Sequence, residues 1–178
     1  MKILNRKIPA SFILVFAIIM INFSSLLAQS EYTNFYERSL SVNKTGMYTL
    51  GGWAVTNLTT GAIGWMNGEG PNKYFHQMNF LWNTVNISLA GFGLYSIFNE
   101  NPEEIEQEEI MEKHIRYEKL FLINGGLDLA YIGTGFILKN ISDQNPERSD
   151  MFEGYGNSLI LQGGFLFVFD AVMFGIQK

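Results

Sequence analysis

The chain has 178 residues, 47% hydrophobic and 16% charged, with a formal net charge of −5 and no cysteine. The missing cysteines exclude disulfides, thiolate metal sites, thioester lipidation and thiol catalysis, and modest acidity without a basic cluster argues against nucleic acid as a partner. A mean hydropathy of +0.07 conceals a segregation: after residue 44 only Asp128 and Asp170 interrupt four long apolar runs, and the other charges sit in the connections, as in a polytopic membrane protein of one domain.

At the N-terminus Lys2, Arg6 and Lys7 precede an apolar stretch over 11–21, and Ala28 offers a small residue for cleavage before Gln29. This pattern predicts a signal peptide over residues 1–28, followed by an extracytoplasmic segment, 29–44. An uncleaved signal anchor is the alternative, because Leu26 is a mediocre cleavage determinant at the third position before the cut.

Four charge-poor windows follow, 45–68, 74–99, 120–138 and 154–177. Each approaches or exceeds the ~20 residues an α-helix needs to cross the hydrocarbon core. Glu69-Gly70-Pro71-Asn72-Lys73 marks a turn between the first two, and Asn145-Pro146 marks another between the last two. The expected fold is therefore all-α: a polytopic membrane four-helix bundle over 45–178, built from two antiparallel helical hairpins. Between the hairpins, Asn101-Pro102-Glu103-Glu104 reads as a helix start. It predicts that the third helix begins at Pro102 and carries an acidic extension over 101–119 outside the membrane.

Small and polar residues recur in alternating steps of four and three. Such stripes are Trp53, Asn57, Thr60 and Gly64 in the first window, and Asn79, Asn83, Asn86, Ala90 and Gly93 in the second. The third carries Ile110, His114, Tyr117, Phe121, Asn124, Asp128, Tyr131 and Gly135. Amides facing hydrocarbon would lack partners, so these stripes should face inward, where small residues also allow close helix approach. A β-barrel would need a sustained period of two, which is absent. Depths counted from the window midpoints at ~1.5 Å per residue predict three polar layers. Asn57, Asn86 and Asp128 fall at the centre, Asn124 and Asp170 toward the acidic connection, and Asn83 and Gln162 the other way. The expected polar core is these seven residues.

The strings Tyr74-Phe75-His76-Gln77-Met78-Asn79, Trp82-Asn83-Thr84-Val85-Asn86, Asn124-Gly125-Gly126-Leu127-Asp128 and Gln162-Gly163-Gly164-Phe165, with Phe169-Asp170 after them, resemble a family of small bacterial envelope proteins of unknown function. The resemblance covers most of the chain after residue 28 and implies a bacterial membrane setting. It supplies no activity, substrate or catalytic residue.

A carboxyl group near the bilayer centre is a functional-site hypothesis in its own right. No Lys or Arg lies within a span to pair with Asp128, so it takes up a proton, accepts amide hydrogen bonds from Asn57 and Asn86, or binds a cation with Asp170. The two histidines, His76 and His114, fall at opposite membrane interfaces and cannot share a metal; His76 beside Tyr74 and Phe75 suits an interface on packing grounds alone. No phosphate loop and no nucleophile with a base in reach occurs, so the residues point away from an enzyme, and no metal or cofactor is expected. The functional expectations are three: a structural or ligand-sensing envelope component, a small proton- or cation-coupled transporter using Asp128 and Asp170, and a lipid-active membrane enzyme. The expected location is the bacterial inner membrane, multi-pass. The expected partners are the lipid bilayer and a second copy or other membrane proteins.

Overall fold

The computed structural model describes the chain from residue 10 onward and its side chains from residue 31 onward, Glu103 excepted. Of the leader expected over 1–28, residues 1–9 lie outside the described residues, and the backbone of 10–28 belongs to the first helix. Four helices follow one another: α1, Ala10–Asn67; α2, Gly70–Phe98; α3, Gln107–Ser142; and α4, Ser149–Gln177. Single 3-10 turns stand at Pro102–Glu104 and Pro146–Arg148, and there is no strand among the described residues. The protein is all-α.

The turn between α1 and α2 is made by Gly70, whose φ of +55° is the left-handed value that a side chain disfavours. Pro71 then starts α2 with a φ already helical and no amide to leave unsatisfied. The start of α3 differs from the expectation. Asn101, Pro102 and Glu104 close only one 3-10 turn, held by Glu104 N–H to Asn101 O at 3.1 Å and by the Asn101 amide to the Glu104 carboxylate at 2.7 Å. Ile105 and Glu106 are extended, and the helix proper begins at Gln107. The physical reason is burial: the kink lets Ile105 pack against a cluster of Tyr36, Leu40 and Ile110, with Tyr32 and Ile97 beside it. Glu108 and Glu109 then fall in the first turn, where the helix dipole favours negative charge.

α1 packs along α2, and α3 along α4, forming the two expected hairpins. α2 and α4 run in the same direction and pack along each other, so they form the centre of the bundle, with α1 flanking α2 and α3 flanking α4. Glycines set these crossings. A Cβ on Gly135 would lie 2.7 Å from the carbonyl oxygen of Gly156, one on Gly156 would lie 2.6 Å from that of Gly135, and one on Gly163 would lie 2.9 Å from that of Asp128. The α3 and α4 backbones therefore touch along a seam that tolerates no side chain. Gly61 does the same against His76 and Phe80 of α2, and Gly154 against Pro71 and Phe75.

α1 has 58 residues, ~87 Å of helix at 1.5 Å per residue, and continues past the other helices at the end where α3 begins. There Lys113 pairs with Glu100 and, at 3.1 Å, with Glu109, and its ammonium lies over the Tyr36 ring. Burial works against the Lys113 charge, but its hydrogen bonds to both carboxylates outweigh it and hold its pKa above the usual value. Burial pushes the Tyr36 hydroxyl well above the usual phenol range, with Tyr117 and Glu100 adding to the effect.

Candidate functional site

The interior of the bundle is polar. Asn57, Asn79, Asn83, Asn86, Asp128, Ser158, Gln162 and Asp170 are all buried, whereas Val55, Ile63, Leu81, Val85, Phe92, Leu122, Phe136 and Val168 are among the exposed side chains. Each inward amide comes from the four-three stripe of its helix, and each stripe is level with small residues that bring a neighbouring helix close enough to bond.

One cluster joins α1, α2 and α4. Gln162 is fully buried; its Nε2 donates to Asn79 Oδ1 at 2.8 Å and to Asn57 Oδ1 at 3.3 Å, while its Oε1 accepts from Trp53 Nε1 at 2.9 Å. Ser158 Oγ also donates to Asn79 Oδ1, at 2.7 Å. The Asn57 and Asn83 amides spend their NH₂ groups on the carbonyls of Trp53 and Asn79, four residues back. Asn86 donates to Asn83 Oδ1 at 3.1 Å, which continues the chain of bonds along α2. The Trp53 indole is clamped from the other side by the Phe165 ring, with centroids 3.8 Å apart and planes nearly parallel. Such a satisfied network fixes the mutual rotation of three helices.

The second cluster joins α3 and α4. Asp128 and Asp170, exposed by 3% and 5%, lie beside each other. Asp128 Oδ2 is left without a partner. Both residues line a cavity of about 140 Å³, together with Asn86, Asn124, Trp82 and Tyr131, that opens between α2 and α3. The Trp82 and Tyr131 rings meet edge to face at 4.7 Å and form its wall.

Of the partners open to Asp128, the structure sets it beside Asp170, while the Asn57 and Asn86 amides donate elsewhere. The polar groups gather in two clusters rather than three layers; the glycine seam sets the stagger of α3 on α4, which window midpoints do not encode. Asn124 is exposed. The buried stripe of α3 is Ile110, His114, Phe121, Asp128, Gly135 and Ser142, largely sevenfold, which leaves Asn124 on the flank as a lining residue of the cavity. In α1 the inward position is likewise Gly61, and Thr60 is exposed. Asn79, placed on the inward stripe but not among the seven core residues, and Ser158 are further members of the cluster. Their signal was spacing: each lies four residues before a chosen residue, Asn83 and Gln162.

The histidines sit at opposite ends of the bundle. The half-buried His76 ring fills the space above Gly64 and lies edge-on to Phe75. His114 is buried at 9% exposure, edge-on to Phe35 at 4.7 Å, with Nε2 3.8 Å from a Glu118 carboxylate oxygen. No group of three metal-ligating side chains occurs among the described residues.

Fold and site together define a helical bundle turned inside out, with amides and carboxyls within and hydrocarbon side chains without. Residues 49–171 match a family of unknown function, DUF6992, and the chain belongs to that family. The matched stretch contains every member of both clusters. Comparison with curated proteins and with solved structures gives no match.

Proposed function

We propose that this protein is a four-span component of a bacterial inner membrane, structural or ligand-sensing, with the buried polar clusters as its working site. The observation that carries the reading is the inverted polarity of the bundle. Two helical stretches, Gln107–Ser142 and Pro146–Gln177, are long and apolar enough to cross a membrane by themselves. α1 and α2 carry buried amides such as Asn57 and Asn83 and exposed apolar residues such as Ile63, Met66, Leu89 and Phe92, a face that can meet lipid. Charge supports the same slab. Lys119 and Lys139 bracket α3 at a spacing of about 20 residues, or ~30 Å, the thickness of a hydrocarbon core; Lys44 and Glu69 bracket α1, and Lys73 and Glu100 bracket α2. In the orientation that the N-terminal signal implies, residues 29–44 and the start of α3 are extracytoplasmic.

A second reading rests on the Asp128 and Asp170 pair. Two adjacent buried carboxyls, an oxygen without a partner and an adjoining cavity with two amides suit a proton- or cation-coupled transporter, in which a proton and a cation compete for the pair. Alkaline carbonate extraction of membranes tests the first reading: the chain should stay in the pellet, and recovery in the supernatant overturns it. Cation-driven proton flux in proteoliposomes that is lost in Asp128→Asn would favour transport over a structural or sensing role.

A further inference from the structure

A pocket at the far end of the bundle lies apart from both polar clusters. It is formed where α1 leaves the bundle, by Phe35, Arg38 and Ser39 against His114 of α3, Gln177 at the end of α4 and Lys178 after it, and it encloses about 220 Å³. That is several times the ~30 Å³ share of one water, enough for a phosphate-sized group. Its floor is already satisfied: Ser39 Oγ donates to Gln177 Oε1 at 2.8 Å, and Gln177 Nε2 donates back to the Ser39 carbonyl at 3.3 Å. What remains free is cationic or polar. Among the described residues Arg38 and Lys178 have no ion-pair partner, and His114 Nδ1 is buried without a hydrogen bond. Glu118 faces the other ring nitrogen, Nε2, so Nδ1 is the ring nitrogen without a partner. Arg38 carries a planar fork that matches two oxygens of a phosphate at once.

We propose that Arg38, His114 and Lys178 form a binding site for a phosphate group. The level of the pocket suggests where such a group comes from. Lys44, Glu100, Lys119 and Lys178 mark one rim of the bundle, and the pocket sits at that rim, with Val42 and Ile176 on its apolar side. If the bundle spans a bilayer as proposed above, this is the depth of lipid phosphates. A phosphodiester headgroup and free phosphate share the chemistry, and the experiment separates them.

The full chain is purified in an uncharged maltoside detergent, and its unfolding midpoint is followed during titration with inorganic phosphate or with short-chain phosphatidylglycerol below its micelle concentration, at ionic strength held constant with sodium chloride. The expected result is saturable stabilisation by one of the two, with the apparent affinity falling tenfold or more in Arg38→Gln, severalfold in His114→Asn, and less in Arg38→Lys, which keeps the charge but loses the fork. A response to the lipid alone identifies a headgroup site; a response to phosphate identifies a soluble anion. Circular dichroism of each variant confirms that the fold is retained. Absence of stabilisation by either probe, or equal stabilisation of wild type and Arg38→Gln, overturns the proposal. Carbonate extraction on the same membranes is read separately, so that a failure of the membrane reading is not mistaken for a failure of the phosphate site.

Discussion

Asp128 is held by one neighbour, Asp170, and that decides how its variants behave. In Asp128→Asn the new amide can donate to the Asp170 carboxylate, so unfolding in detergent should occur close to the wild-type midpoint. In Asp128→Leu the Asp170 carboxyl loses its partner, at a cost of roughly 0.6 to 2 kcal/mol. Thermal unfolding of both variants, with and without sodium, potassium or calcium, checks this, and ion-dependent stabilisation confined to the wild type would favour a cation site. Asn43 makes the opposite case. It is 2% exposed, and neither amide atom has a hydrogen-bond partner. An unpaired buried polar group costs about 1–3 kcal/mol, so Asn43→Leu should raise the unfolding midpoint, and a lowered midpoint would show that the amide holds a bound molecule. Tyr36 reports on the α1 extension. Its folded pKa is raised, so the stability it contributes is complete below the ordinary phenol value of ~10 and is lost as pH rises beyond it, because the unfolded chain ionises and the folded one does not. An ultraviolet titration should show tyrosine ionisation delayed until unfolding, with that delayed signal diminished in Tyr36→Phe.

Among the elements, α3 shows what periodicity reveals and where it stops. Residues repeating in fours and threes identified the inward face through His114, Phe121, Asp128 and Gly135, because a helix has few ways to place a lone carboxyl among apolar neighbours. The same pattern could not separate Asn124 from Asp128, since both lie within one broad stripe and only the partner helix decides which is covered. Nor could it choose among the partners open to Asp128, because its meeting with Asp170 depends on where the α3 and α4 backbones touch. The break at Ile105 was also hidden: Asn101-Pro102-Glu103-Glu104 is a sound local start signal, but the apolar pocket that diverts the chain is formed by Tyr36 and Leu40, more than sixty residues earlier. The α3–α4 contact makes a sharp prediction. Gly135→Ala or Gly156→Ala should destabilise the protein by about 1–3 kcal/mol through overpacking, whereas Gly126→Ala and Gly52→Ala, which have open space at the new methyl, should be neutral or stabilising by up to ~1 kcal/mol from helix propensity. Unfolding midpoints of the four single variants decide it.

At the scale of the whole molecule, the helix ends divide the chain into a bundle bracketed by charge and a smaller apolar cluster beyond it, where α1 and the first turns of α3 pack together. Spin labels placed along 107–118 in the full chain should show a helical period, with 110 and 114 shielded and 111 and 115 accessible to a water-soluble quencher. A uniformly mobile profile would detach this cluster from the fold.

The hydrogen bonds that Gln162 and Ser158 make to Asn79, and Gln162 to Asn57, cross from the second hairpin to the first. In a membrane this has a bearing on biogenesis. Each hairpin can insert as it leaves the ribosome, but until the other arrives the Asn79 carbonyl faces lipid with none of its side-chain donors. The later hairpin therefore completes the earlier one, and recognition between them is written in amides rather than in bulk hydrophobicity. Two separately translated fragments divided in the 99–106 connection, where no α-helix is cut, should find each other in the bilayer and copurify. Gln162→Leu in the second fragment should weaken that reunion more than any single change on the lipid-facing sides.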